Sequence, residues 1–291
     1  MEPKIEILDA QVHEPATPAT LSTLPADHLA TVKVELLREA MDATGVDAAL
    51  VVAGDPFIDA CVDLYPERFA GVVTFVEPGE QDEAAIDIAA ARPTILAARA
   101  LVADFRDASL KPSFEGGGFD RIFQAAARNR LPMFISTHGH AAAVAPIAER
   151  HPELPLIVDH LGLSQSPVSP PRDDPWDALP GLLGLARYPN VYVKLCGLPV
   201  LTHADYPFED TWPFLDAVID AFGAERLMWA SDYTRLRMAK VTEAWLGRER
   251  GRLYSESRDS LLRADRLDPV AKAAMMGGTL RHVLDWQPPI K

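Results

Sequence analysis

Eight short apolar runs, separated by stretches of helical periodicity, restrict the fold of this chain more than any other feature. Continuously apolar strands joined by helices indicate a parallel sheet covered on both faces, and eight such units can close into a barrel. We therefore predict an α/β fold, a (β/α)8 TIM barrel, as a single domain over residues 1–291. The predicted strands are residues 5–8, 48–52, 70–75, 95–101, 133–135, 156–158, 191–194 and 227–229.

The stretches between these runs repeat apolar residues at the period of an α-helix. A doubly wound open sheet is the rival fold. No GxGxxG follows the first run and no GxxxxGK[ST] occurs in the sequence, so the phosphate-binding loops of nucleotide-binding open sheets are missing. This absence favours the closed barrel. The predicted helices are residues 28–44, 82–91, 119–130, 141–151, 176–187 and 210–222.

Composition narrows the class of partner. The net charge of −14 repels polyphosphate, so we expect no nucleic acid partner. No run of 18 apolar residues and no signal-like N-terminus occurs, so we expect a cytoplasmic protein with no membrane partner. Cys61 and Cys196 lack a CxxC pattern, which predicts reduced thiols and no cysteine-ligated zinc. We expect a small-molecule partner. A homo-oligomer is also compatible with this composition.

Polar side chains follow several of the predicted strands. His13 comes after the first run, Asp159 and His160 after the sixth, Lys194 at the end of the seventh and Asp232 after the eighth. In a parallel barrel the carboxyl ends of all strands meet at one mouth, where substrates bind. We therefore expect these side chains to form one site.

The motifs around these residues resemble the amidohydrolase-related family of the amidohydrolase 2 type. This family comprises TIM-barrel hydrolases that include sugar and dicarboxylate lactonases, and its relatives include metal-dependent decarboxylases. The resemblance implies the same barrel fold. It also implies a hydrolase of the amidohydrolase type that acts in catabolism. The matching segments are DAQVH at 9–13, VDHLG at 158–162, NVYVKLCGL at 190–198, FGAERLMWASD at 222–232 and MMGGT at 275–279.

The family's metal ligands are incomplete in this chain. Gln11 stands where the family commonly has the first histidine of His-x-His, and an amide oxygen is a poorer zinc ligand than an imidazole. The histidine expected at the end of strand five is replaced by Ser136, with His138 and His140 just beyond. We therefore expect no cofactor. The alternative is one divalent ion, zinc or manganese, held by His13, His138 or His140, and Asp232.

The remaining residues suffice for hydrolysis without a metal. Asp232 could take a proton from water, while His13, His160 and Gln11 could donate hydrogen bonds to the carbonyl oxygen. We therefore predict hydrolysis of a small, anionic cyclic ester, which needs less electrophilic help than an amide. A metal-dependent decarboxylase or amidohydrolase is one alternative, and an inactive barrel that acts as a binding protein is another.

Cationic side chains near the strand ends are candidates for binding the substrate anion. Arg99, at the end of the fourth run, and Arg235, three residues after Asp232, could hold a carboxylate through the planar guanidinium. Lys194 could do so as a point charge, and Tyr206 could line the mouth.

Overall fold

The computed structural model describes residues 4–21, 23–104, 106–164, 174–202, 204–236 and 253–287. Eight strands in this part of the chain form one parallel sheet in sequential order, with helices between them. The predicted (β/α)8 barrel is confirmed. The strands are β1 (Leu8–Val12), β2 (Ala48–Val52), β3 (Phe69–Phe75), β4 (Ile95–Leu101), β5 (Met133–Ser136), β6 (Leu156–Val158), β7 (Val191–Cys196) and β8 (Leu227–Ala230).

Helices pack on the outside of the sheet, and their buried apolar residues form one core with the outward faces of the strands. None of the helices in the described ranges is both long and apolar enough to cross a membrane. The α-helices are Ala26–Thr44, Asp55–Leu64, Asp82–Ala90, Pro112–Glu115, Asp120–Asn129, Ala145–Arg150, Leu179–Leu183, Trp212–Phe222, Tyr233–Leu236, Tyr254–Leu262, Pro269–Ala273 and Thr279–Val283.

The seam between the last and first strands is closed by backbone and side-chain hydrogen bonds. The backbone N–H of Asp232 donates to the carbonyl of Gln11 at 3.1 Å. The carboxylate of Asp9 accepts from the backbone N–H of Ser231 at 2.9 Å and from the hydroxyl of Tyr254 at 2.7 Å. Asp9 thus joins β1 to the segment that carries Asp232, and the position of Asp232 depends on this seam.

A second, smaller core fills the inside of the barrel. The inward residues of the strands pack there against Leu280, Leu284 and Trp286 from the C-terminal helical segment. Gly277 of the same segment lies against the backbone of Glu6 and Leu8, at the amino end of β1. The amino ends of the strands are therefore covered, which leaves the carboxyl ends as the face for a ligand.

The first predicted strand was misplaced. Residues 5–8 were expected, whereas β1 runs from Leu8 to Val12 and all five of its residues are buried. The polar side chains of Asp9 and Gln11 make the segment resemble a loop in the sequence. Their partners lie far along the chain: Asp9 accepts from Ser231, directly after β8, and Gln11 accepts from Lys194 in β7.

Three helical segments also differ from the prediction. The helix Asp55–Leu64, which buries Phe57 and Cys61, was not predicted. Residues 141–151 form a 3₁₀ turn (Ala141–Val144) followed by Ala145–Arg150, with a proline in the first turn of the α-helix. Residues 176–187 contain only the short helix Leu179–Leu183 and a 3₁₀ turn. A proline stands in the first turn of each of these α-helices, where its missing N–H leaves no helical hydrogen bond unmade.

Candidate active site

Left-handed backbone at three strand ends is the local feature that builds the site. His138 after β5, His160 after β6 and Asp232 after β8 have φ of 43°, 54° and 52°. For residues other than glycine this conformation costs about 1–2 kcal/mol each, and such strain concentrates at functional sites. The turns change the direction of the chain directly after each strand, so the side chains stay at the mouth.

Asp232 and His13 face each other across the seam. Oδ1 of Asp232 lies 3.0 Å from Nε2 of His13, and both side chains are about nine-tenths buried. Nδ1 of His13 lies 2.6 Å from the carbonyl oxygen of Val52. A carbonyl only accepts, so Nδ1 carries a proton and Nε2 is the nitrogen turned toward Asp232.

Gln11 lies between the two imidazoles and a buried cation. The ammonium of Lys194 donates to Oε1 of Gln11 at 3.0 Å. Nε2 of Gln11 lies 3.2 Å from Nε2 of His13 and 3.3 Å from Nε2 of His160. Gln11 has no exposed surface. Its amide contacts the two imidazoles but has no surface in the cavity. The expected role of Gln11 as a donor to the substrate carbonyl is therefore corrected.

Asp159 holds two cations in the interior. Its carboxylate accepts from Nε of Arg99 at 2.6 Å and lies 2.9 Å from the ammonium of Lys194. Burial alone would raise the pKa of Asp159, but Lys194 and Arg99 outweigh it and hold this pKa well below its usual range. Burial lowers the pKa of Lys194, and Asp159 partly offsets this. Lys194 is completely buried, so it does not reach a substrate anion as predicted.

Arg99 lines a cavity of about 720 Å³ together with His13. It lies within β4, two residues before the end of the strand rather than at the end. Within the described residues, Arg99 donates a hydrogen bond through Nε, to Asp159, and its terminal nitrogens remain available to a ligand. The remaining walls are largely apolar and include Val52, Phe75, Ile88 and Leu101. The cavity therefore suits a small anion with an apolar body.

The histidines after β5 take different positions. Burial, with the nearby His160 and Arg99, lowers the pKa of His138 to about 3, and its Nε2 lies 3.1 Å from the hydroxyl of Ser136. Nε2 of His140 instead donates to the carbonyl of Ala108 at 2.6 Å. His138 thus returns to the site and His140 does not.

His160 is an uncharged imidazole at neutral pH. Burial lowers its pKa to about 4, although Asp232 and Asp159 oppose this shift. Its Nδ1 is buried and has no hydrogen-bond partner among the described residues. His160 therefore adds no charge to the site near pH 7.

Three buried side chains at the mouth offer donor atoms to a divalent ion. Among the described residues, donor atoms of His160, Cys196 and Asp232 lie within 4.8 Å of one another. Burial and then Asp232 raise the pKa of the Cys196 thiol well above its usual value, so a metal ion would have to displace the proton of this thiol. The buried cations Lys194 and Arg99 both contact Asp159, whereas Asp232 faces His13. Arg99 and Lys194 oppose a positive charge on His160, and the same repulsion opposes a divalent ion beside it.

Two expected substrate contacts remain outside the site. Tyr206 lines a separate cavity of about 430 Å³ with Trp212 and Arg266, which corrects its predicted place at the mouth. The side chain of Arg235 lies outside the part of the chain that the structure describes.

Asp9 was not predicted as part of this region, because it lies within β1 and not after the end of a strand. Burial raises its pKa to about 6, although hydrogen bonds from Ser231, Tyr254 and Gln11 oppose the shift. The sequence contained one signal for this residue, since Asp9 is a carboxylate between the apolar residues Leu8 and Ala10. Its role is to support the segment of Asp232 rather than to contact a ligand.

Comparison with known proteins identifies the family. L-fucono-1,5-lactonase from Burkholderia ambifaria is 33% identical over 105 residues, which are 36% of this chain and 35% of that protein. 4-Sulfomuconolactone hydrolase from Hydrogenophaga intermedia is 26% identical over 117 residues, which are 40% of this chain and 36% of that protein. The matches thus span about a third of these relatives' length.

The fold itself recurs in solved structures. The crystal structure of 5-carboxyvanillate decarboxylase from Sphingomonas paucimobilis superposes with a TM-score of 0.61 at 16% identity, covering 98% of this chain and 100% of that one. At this identity the likeness concerns the fold alone. The amidohydrolase family, in contrast, matches residues 8–285, nearly the whole sequence. The chain therefore belongs to the amidohydrolase family.

Proposed function

We propose that this protein hydrolyses a small, anionic lactone without a metal cofactor. The observation that carries the proposal is the facing pair of Asp232 and His13, 3.0 Å apart, beside a cavity that also contains Arg99. Two relatives that match parts of the chain are a lactonase and a lactone hydrolase by name, which supports the choice of a cyclic ester. The substrate is thus a small-molecule partner with a negative charge.

In the proposed mechanism Asp232 is the general base. Water attacks the carbonyl carbon while Asp232 takes one of its protons, so negative charge forms on the former carbonyl oxygen. The bond from the carbonyl carbon to the ring oxygen then breaks, and the ring oxygen takes the proton from Asp232. The products are one carboxyl and one hydroxyl group, so one water is consumed for each ring opened.

Arg99 is the proposed anchor of the substrate anion. Nε is engaged with Asp159, which fixes the plane of the guanidinium and leaves the terminal nitrogens for the ligand. Because an anion held away from the reacting carbonyl is bound equally in ground and transition states, this contact should act on KM. Gln11 has no exposed surface, so it is not a donor to the carbonyl oxygen in this mechanism.

The proposal is tested by hydrolysis of a panel of carboxylated five- and six-membered lactones, each paired with its neutral ester, in a pH-stat. We expect turnover of at least one carboxylated member, with the same rate after prolonged treatment with a chelator. The purified protein should also hold well under one equivalent of zinc or manganese by elemental analysis. A stoichiometric metal that is lost together with activity would overturn the metal-free mechanism, and a complete lack of turnover would favour a binding protein.

Replacing Arg99 with Lys should raise KM about 10- to 100-fold with a smaller change in kcat. Lysine keeps a positive charge beside Asp159 but lacks the planar fork, and hydrogen bonds to charged groups contribute about 1.5–3 kcal/mol. Steady-state kinetics on the preferred lactone measure the effect. The matched control is Arg92→Lys, because Arg92 lines the same cavity but is paired with Asp55 and Asp59. Equal KM for R99K and wild type would place the substrate anion elsewhere, with Arg235 the next candidate.

A further inference from the structure

Lys194 determines how the amide of Gln11 is oriented. An ammonium group only donates hydrogen bonds, so the Gln11 atom 3.0 Å away must be the oxygen. Lys194 is itself held in place by Asp159 at 2.9 Å and by the face of Phe134, whose ring centroid lies 3.3 Å from the ammonium. A flipped amide would bring its N–H groups against the ammonium in a site without exposed surface. The amide nitrogen of Gln11 therefore faces the two imidazoles.

The amide nitrogen in turn determines where the imidazoles carry their protons. It only donates, and it lies 3.3 Å from Nε2 of His160, so this Nε2 must be the accepting nitrogen. The neutral ring of His160 then has its proton on Nδ1. Nδ1 is buried and has no acceptor among the described residues, so the contact at Nε2 carries this assignment.

The same assignment holds for His13 by a separate contact. Its Nδ1 donates to the carbonyl of Val52 at 2.6 Å, which leaves Nε2 without a proton in the neutral ring. That Nε2 lies 3.2 Å from the amide nitrogen of Gln11 and 3.0 Å from Oδ1 of Asp232. In the neutral ring this Nε2 is an acceptor, and it can take up a proton that it then shares with Oδ1 of Asp232.

We infer that Lys194 and Gln11 are positioning residues that hold His160 as the Nδ1–H tautomer, while the carbonyl of Val52 holds His13 in the same tautomer, so that His13 and Asp232 together hold the proton taken from water. This inference rests on the proposed function for its catalytic part only. It changes the expected role of His13 from a donor to the carbonyl oxygen into an acceptor beside the base. It also gives a reason for glutamine at position 11, since its amide donates to an imidazole nitrogen, which a carboxylate cannot do.

The tautomers are measured by ¹⁵N NMR of histidine-labelled protein at about pH 7.5, with H13N and H160N samples to assign the two rings. In the wild type we expect Nδ1 of both rings to be protonated and Nε2 of His160 to be unprotonated. In Gln11→Glu, position 11 still accepts from Lys194 but cannot donate to His160. The proton of His160 should therefore move to Nε2, and kcat should fall about 10- to 100-fold, as for other partners that orient functional imidazoles.

Lys194→Met is the second variant, in case a buried glutamate disturbs folding. Without the ammonium the amide can turn, so His160 should show a mixture of tautomers. Lys111→Met is its matched control, because Lys111 is also a buried lysine, bound to the carbonyl of Val76 and to Glu77. K111M should leave both tautomers as in the wild type.

The outcomes separate this inference from the proposed function. A wild-type His160 protonated at Nε2, or unchanged tautomers in both Q11E and K194M, would overturn the positioning role, whatever the protein hydrolyses. The expected tautomers with undiminished kcat in Q11E would overturn the catalytic part. If no lactone is turned over, the NMR result still tests the proton positions.

Discussion

Replacing Asp232 with Asn should lower kcat by about 10²–10⁴-fold, the usual contribution of a general base. Asparagine keeps the shape of the side chain and removes its basicity, while Oδ1 can still face Nε2 of His13. KM should change little, because the proposed anion contact is made by Arg99 on a different strand. Steady-state kinetics on the lactone that the wild type prefers measure both constants.

Asp55→Asn is the control for a general loss of negative charge at the cavity. Asp55 lines the same cavity but is exposed and paired with Arg92. We expect its kcat to stay close to that of the wild type. Near-wild-type turnover by the Asp232 variant would refute its assignment as the base, and the search would turn to His13 and His138.

The barrel could be predicted because its strands are apolar on both faces. Residues 48–52, 95–101 and 156–158 are strands with the predicted bounds, since a buried parallel strand needs no partner to explain its composition. β1 was misplaced because Asp9 and Gln11 have buried partners, Ser231 and Lys194, that lie more than 180 residues away. No local pattern carries that information, so polar residues inside a closed barrel resemble a loop.

The candidate site was predictable as a set of strand ends but not as a set of contacts. The rule that carboxyl ends converge was sufficient to bring together His13, His160 and Asp232. It could not show that His138 returns through a left-handed residue whereas His140 turns away to the carbonyl of Ala108. Such a difference depends on one backbone dihedral, which side-chain identity does not determine.

The role of Lys194 could not be predicted either, because it depends on an ion pair with a residue that is distant in sequence. A lysine at a strand end is equally compatible with a substrate contact and with a buried ion pair. The choice depends on Asp159, which lies 60 residues from Arg99 in sequence and contacts both cations. Only the fold shows that one carboxylate serves two buried cations. The stability of the barrel should therefore depend strongly on this one side chain.

Replacing Asp159 with Asn should lower the free energy of unfolding by about 3–5 kcal/mol, the usual cost of breaking a buried ion pair by removing one partner. The change leaves Arg99 and Lys194 in the interior without the carboxylate that both contact. Urea unfolding at about pH 7 measures it. The matched control is Asp120→Asn, which breaks an exposed pair of similar geometry with Arg150, at 2.9 and 3.0 Å. That loss should be about 0–1 kcal/mol, since exposed pairs are screened by water.

The pH dependence distinguishes an uncompensated ammonium from lost packing. Burial already lowers the pKa of Lys194 below its usual 10.5, and without Asp159 the shift should grow. The unfolded chain then binds a proton that the folded D159N protein lacks, so the stability of D159N should rise relative to wild type as pH increases. We expect the deficit of D159N to be smaller at about pH 9.5 than at about pH 7. A deficit that does not change with pH, or one no larger than that of D120N, would show that Lys194 is not held as a buried cation by Asp159.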